Sequence, residues 1–143
     1  MLPFCQTHIN AERDDPFMLS YRKGSRAEHE LIDYFSEKGF CVIRAAGSGV
    51  NSLSPDILVF RRGTQIGIEA KAHEKQNLNI DREQFDNLKR WEDISGINCY
   101  IGWRRNREPW YFIPLSVFKE SAKSYGINWE NGKALGKKLE EFA

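Results

Sequence analysis

Ser54-Pro55-Asp56-Ile57-Leu58-Val59-Phe60-Arg61-Arg62-Gly63-Thr64-Gln65-Ile66-Gly67-Ile68-Glu69-Ala70-Lys71-Ala72-His73 is the stretch that decides the fold. Two apolar runs rich in Val, Ile and Phe flank Arg62-Gly63, and glycine tolerates the positive φ that a tight turn needs. The stretch therefore reads as a β-hairpin. Folded about the midpoint between Arg62 and Gly63, it sets Asp56 opposite Glu69. Directly opposed residues of an antiparallel pair have Cβ atoms ~4.5–5.5 Å apart. Lys71, two residues beyond Glu69, projects from the same face. The other face carries Ile57, Val59, Ile66 and Ile68 and reads as core.

Two carboxylates this close repel each other unless a cation lies between them. A hard divalent ion with oxygen ligands, such as Mg²⁺, is the natural occupant, and a lysine beside it would supply positive charge to a reacting phosphate. The spacing alone is equally consistent with a solvated hairpin carrying ordinary surface charges. A one-residue slip in register would move Asp56 to the opposite face.

Pro55-Asp56, then twelve residues, then Glu69-Ala70-Lys71 resembles the P-D…(D/E)-x-K nuclease motif. A second segment narrows the resemblance. Tyr21-Arg22-Lys23-Gly24-Ser25-Arg26-Ala27-Glu28-His29-Glu30-Leu31 looks like the opening of the archaeal Holliday junction resolvases, and Arg44-Ala45-Ala46-Gly47-Ser48 resembles that family's middle element. The likeness is clear from about Ser20 to Trp103 and looser in the C-terminal third. It implies an α/β restriction-endonuclease-like core, with a central mixed sheet of about five strands and flanking helices. It also implies a structure-selective, metal-dependent endonuclease acting on four-way junction DNA.

Composition is compatible with this. The chain has 143 residues, 41% of them hydrophobic, which suits one domain with a real core. A formal net charge of +1 requires any DNA surface to come from segregated charge. No apolar run is long enough to span a membrane, and no signal peptide is visible. Three widely separated cysteines, Cys5, Cys41 and Cys99, argue against a disulfide framework or zinc site and for a reducing cytosol. The chain therefore reads as cytoplasmic. Residues 1–17 lack usable periodicity and are expected to form a poorly ordered N-terminal extension, with the nuclease domain over 18–143.

Outward from the hairpin, Glu28, Leu31, Ile32 and Phe35 fall on one helical stripe within about Ser25 to Lys38, and Gly39 ends it. Glu28 on that stripe has two readings. It joins Asp56 and Glu69 around a metal, or it closes a Ser25-x-x-Glu28 capping box. The resemblance favours the metal. Phe40 to Arg44 reads as a strand and Ala46 to Ser54 as a Gly/Ser/Asn-rich loop. On that loop Ser48 resembles a family serine that aids catalysis or DNA contact, while plain turn chemistry also explains it. His73 to Asp81 reads as a polar stretch, with Asp81 or Asn79 capping a helix over about Arg82 to Ile94. On that helix Gln84 reads as a solvated position, although nucleases of this motif place a helical Gln beside the site. His29 and His73 read as surface or structural.

Further on, Ile97 to Trp103 and Trp110 to Ile113 read as strands joined by a basic turn, Arg104-Arg105-Asn106-Arg107-Glu108, whose tip either touches phosphate or is simply solvated. A short helix is expected from Val117 to about Lys123. Asn131 is expected to cap a final helix carrying Leu135, Leu139 and Phe142.

By the resemblance, Asp56 and Glu69 hold Mg²⁺, for which Mn²⁺ would substitute, with the Ala70 carbonyl as a third protein ligand and Glu28 completing the site. Lys71 acts electrostatically, because neighbouring carboxylates oppose the depressed pKa a lysine base would need. Arg22, Lys23, Arg26 and Arg44 bind phosphate. The rival readings are another nuclease of this motif acting on linear or flapped duplex, and a non-catalytic junction-binding protein. Two cuts related by a two-fold axis call for a homodimer, with Trp91, its neighbours on the 82–94 helix and part of the 97–113 hairpin at the interface.

Overall fold

The computed structural model of the chain describes residues 16–45 and 54–142, with backbone alone for 16–23 and 25. The elements run α1 (Pro16–Glu37), β1 (Cys41–Arg44), β2 (Ile57–Arg61), β3 (Thr64–Ala72), β4 (Asn77–Asp81), α2 (Arg82–Ser95), β5 (Asn98–Arg104), β6 (Tyr111–Pro114), a 3-10 turn (Leu115–Val117), β7 (Lys119–Glu120), β8 (Ser124–Asn128), α3 (Trp129–Leu135) and a last 3-10 turn (Leu139–Glu141). A five-stranded sheet has the order β1-β2-β3-β5-β6. Only the β3–β5 contact is parallel, so the sheet is mixed, as expected.

The hairpin sets the register. Gly63 takes φ +80° at the turn, Arg61 pairs with Thr64 and Ile57 with Ile68. Extending that pairing by one residue brings Asp56 against Glu69. Ile57, Val59 and Ile68 are fully buried and Ile66 nearly so. They pack with Ala27, Leu31 and Phe35 of α1. The opposite face is covered by Phe85 and Leu88 of α2 and by Leu78, Ile80, Tyr125 and Ile127. Strand β5 runs between both layers: Tyr100 joins the α1 side, while Cys99, Ile101 and Trp103 join the other. That is why β5 is buried without a break from Cys99 to Trp103.

Several elements differ from expectation. Helix α1 begins at Pro16, with Gly24 and Ser25 inside it. An interior glycine costs only about 1 kcal/mol. Ser25 is therefore no N-cap, and the capping-box reading of Glu28 falls. The stretch 73–81 contains β4, whose Leu78 and Ile80 are buried between exposed Asn77, Asn79 and Asp81. Its polar outer residues hide a period-two pattern. β4 joins a second sheet, ordered β4-β8-β7, that replaces the helix expected after Val117. The last helix is α3, capped by Asn128, whose side chain accepts from the Asn131 N–H at 2.8 Å. It stops before Gly136, and Leu139 and Phe142 fold back onto the α1 layer.

Candidate active site

Asp56 and Glu69 meet where β2 begins and β3 approaches its end. The Asp56 N–H donates to Glu69 Oε2 at 3.2 Å, and the Ala70 N–H donates to Asp56 Oδ2 at 3.1 Å. Each carboxylate is thus oriented by the other's strand. Pro55 is buried, and a Cβ on Gly67 would come within 2.9 Å of Pro55 Cγ, 3.0 Å of Cys99 Sγ and 3.3 Å of Trp91 Cζ3. Only glycine lets Pro55 and α2 close over β3 here, which brings the start of α2 to the acidic pair.

That approach delivers Gln84. Its amide donates to Glu69 Oε1 at 2.9 Å and accepts from Lys71 Nζ at 3.2 Å. One side chain therefore spans the distance between the acid and the cation. The solvated position expected for Gln84 is not what the fold produces. The available signal was that Gln84, Leu88 and Trp91 recur at i, i+4 and i+7, so Gln84 shares a stripe with residues that face the sheet.

Glu69 is 7% exposed and is the buried charged residue among those described. Burial first, then the charge of Asp56, pushes its carboxyl up to about 8, with Lys71 pulling the other way. This is the signature of two acids held together with too little positive charge between them. The donor set is oxygen only, and each carboxylate oxygen has lone-pair capacity beyond the hydrogen bond it accepts. Such a pair fits a hard divalent cation.

Glu28 is engaged by Arg44. Its Oε2 accepts from Arg44 Nε at 2.8 Å. Among the described residues no three of His, Cys, Asp and Glu gather into a metal-holding group. Helix α1 packs on the Ile57–Ile68 face, whereas Glu69 and Lys71 turn to the α2 face. Arg44 itself lies next to the acidic pair: it pairs with Ile57, and the Ala45 N–H donates to the Asp56 carbonyl at 2.8 Å.

Of the other expected residues, Arg26 is exposed. Arg22 and Lys23 lie on α1 with side chains outside the description, and Ser48 is outside the described residues. His29 is exposed, and His73 Nε2 lies 2.9 Å from the Asn77 carbonyl oxygen and beside Trp103, both consistent with structural roles. Trp103, Trp110 and Phe112 are core. Trp91 is half-buried against the α2 layer, and Ile94, one turn on, is 71% exposed.

A family model described as archaeal Holliday junction resolvase (Hjc) matches residues 19–143. The chain is 30% identical over 122 residues to the crossover junction endodeoxyribonuclease Hjc of Archaeoglobus fulgidus, covering 85% of this chain and 89% of that protein. The enzyme of the same name from Methanocaldococcus jannaschii is 34% identical over 116 residues, covering 80% and 82%. The solved structure of Archaeoglobus fulgidus Hjc superposes with a TM-score of 0.74 at 27% identity, over 83% of this chain and 93% of that one. A bacterial homing endonuclease shares the fold, with a TM-score of 0.51 at 14% identity, over 82% of this chain and 86% of that one.

Proposed function

The chain belongs to the archaeal Holliday junction resolvase family, and from that premise we propose that it is a crossover junction endodeoxyribonuclease that nicks four-way DNA junctions in recombination and repair. The observation that carries the reading is the reciprocal locking of Asp56 and Glu69, with Lys71 tethered beside them through Gln84. A merely binding protein has no use for a buried acid and a half-buried one that repel each other at the edge of a DNA surface.

Asp56 and Glu69 would hold Mg²⁺, or Mn²⁺ in its place, with the Ala70 carbonyl as a third oxygen. When bound, the ion lowers the pKa of a water and draws charge from the phosphate. The chain's own residues do the rest. Asp56 and Glu69 fix the geometry through the two strands. Lys71 offers its ammonium to charge developing on the phosphodiester, and Gln84 keeps that ammonium from collapsing onto Glu69. Glu28 acts through Arg44, holding the guanidinium for a backbone phosphate. Arg22, Lys23 and Arg26 on α1 position the duplex without reading its sequence, and Ser48 contacts the cleaved strand. The working unit is a two-fold homodimer in the cytoplasm, with 18–143 as the nuclease domain. No helix among the described residues is long and apolar enough to cross a membrane.

A nicking assay on synthetic four-way, flapped and linear duplexes tests this. Paired nicks on the junction with Mg²⁺, and none with EDTA, are expected. Equal cutting of linear duplex would replace this reading with that of a general nuclease of the same motif.

A further inference from the structure

A cleft of about 280 Å³ opens between α1 and the turn that joins β5 to β6, lined by Arg26, Ala27, Glu30, Ala72, Arg104 and Asn106. The turn is built rigidly. The Arg104 guanidinium donates from Nη1 to the carbonyls of Arg105 and Glu108. The Asn106 N–H donates to the Glu74 carboxylate at 2.9 Å, and Arg107 is held at φ +62°. Such an arrangement presents Asn106 at a fixed place instead of leaving it on a wandering loop. Within the cleft, Arg104 Nε is buried without a hydrogen-bond partner, although Glu30 Oε1 lies 3.4 Å away. Glu30 Oε1 also accepts from Trp110 Nε1 at 3.1 Å. Two arginines against one glutamate leave the cleft one net positive charge, which suits a monoanion with several acceptor oxygens.

Position identifies the anion. Ala72 follows Lys71 by one residue and pairs with Arg104 in the β3–β5 ladder. The cleft therefore opens at the same end of the sheet as Lys71, on the α1 side. Ala72 lies three residues beyond Glu69, roughly 10 Å at ~3.3 Å per residue. One DNA strand carries a phosphate every ~3.4 Å of axis, so a strand crossing this end of the sheet brings a phosphate to each place. Guanidinium groups from two elements match the planar, multi-acceptor geometry of a phosphodiester.

We propose that Arg26, Arg104 and Asn106 form a second phosphate subsite that grips the cleaved strand about two to three nucleotides from the scissile bond. The proposal rests on the endonuclease reading above. The test scans a single neutral methylphosphonate through the four linkages on either side of the cut in a synthetic four-way junction. Binding is measured in EDTA for the wild type, Arg26→Ala and Asn106→Asp, and each protein is also titrated with salt on unmodified DNA. Asn106→Asp leaves the backbone bond to Glu74 in place while adding a repulsive charge.

One linkage two to three nucleotides out should weaken the wild type about tenfold when neutralised. The same substitution should cost Arg26→Ala little further, and Arg26→Ala should lower the salt slope by about one unit. For Asn106→Asp, neutralising that linkage should relieve the added repulsion and recover affinity. Penalties that stay the same in all three proteins, or no sensitive linkage in the wild type, would overturn the subsite. A wild type that does not prefer junction over linear duplex would defeat the resolvase reading instead, and the same scan on linear duplex would still decide the cleft.

Discussion

Asp56 and Glu69 each accept a hydrogen bond from the other's strand, at 3.2 Å from the Asp56 N–H and 3.1 Å from the Ala70 N–H. Backbone donors thus offset part of the repulsion between the acids, which the hairpin register brings together. The remaining repulsion has measurable consequences.

The first is a pH dependence of stability in metal-free protein. Burial, then the charge of Asp56, pushes the Glu69 carboxyl up to about 8 in the fold, from the 4.5 of an ordinary glutamate. The native state therefore holds a proton that the unfolded state releases between those values. Stability from this group is fully present below about pH 4.5 and is lost as pH rises through about 8. Thermal melts in EDTA should show Glu69→Gln gaining on the wild type from pH 5 to pH 9. A constant difference across that range would contradict the assigned burial of Glu69.

Gln84→Leu removes the bridge between Glu69 and Lys71 while keeping an apolar body on α2. Lys71 is then free to pair directly with Glu69 and compete with the metal. Cleavage should fall about 10- to 100-fold, up to the ~100-fold that a misplaced catalytic group costs, and the Mg²⁺ needed for half-maximal rate should rise. Junction affinity in EDTA should be unchanged. An unaltered Mg²⁺ requirement would reduce Gln84 to a packing role.

Asp56→Asn and Glu28→Gln separate the metal pair from its flank. Asp56→Asn should abolish cleavage and leave junction binding intact or tighter, because a negative charge leaves a phosphate-binding face. Glu28→Gln should release Arg44, weakening binding and lowering the rate by about tenfold or less, with the Mg²⁺ requirement unmoved. If Glu28→Gln instead shifts the Mg²⁺ titration as Asp56→Asn does, Glu28 is a direct ligand in the loaded enzyme.

The proposed dimer is best probed at Ile94. Trp91 places an edge of its ring against β3 near Gly67, so Trp91→Glu would disturb the monomer as well as any interface. Ile94 on the same helix is largely exposed. Sedimentation at micromolar concentration should give about twice 16.6 kDa for the wild type and a monomer for Ile94→Glu, which should still nick junctions but no longer in pairs. A wild-type monomer that makes paired cuts would remove the dimer from the mechanism.

The hairpin, its register and the shared side of Asp56, Glu69 and Lys71 were legible in the residues alone. These depend on local properties: a glycine turn, a two-residue side-chain period and β-branched runs. Such properties survive without knowledge of what packs above them. The apolar stripe of α1 and the five-stranded core were legible for the same reason. Only the tertiary structure decided which layer covers which face. It brought Gln84 into the site because α2 docks where Gly67 leaves room, and it paired Glu28 of α1 with Arg44 of β1. It also made a strand of 77–81, whose polar outer residues are tolerated because β8 supplies their backbone partners. Long-range docking is set by the summed fit of whole surfaces, not by any one residue's preference. A stripe in the sequence therefore says that a residue faces something without saying what it faces.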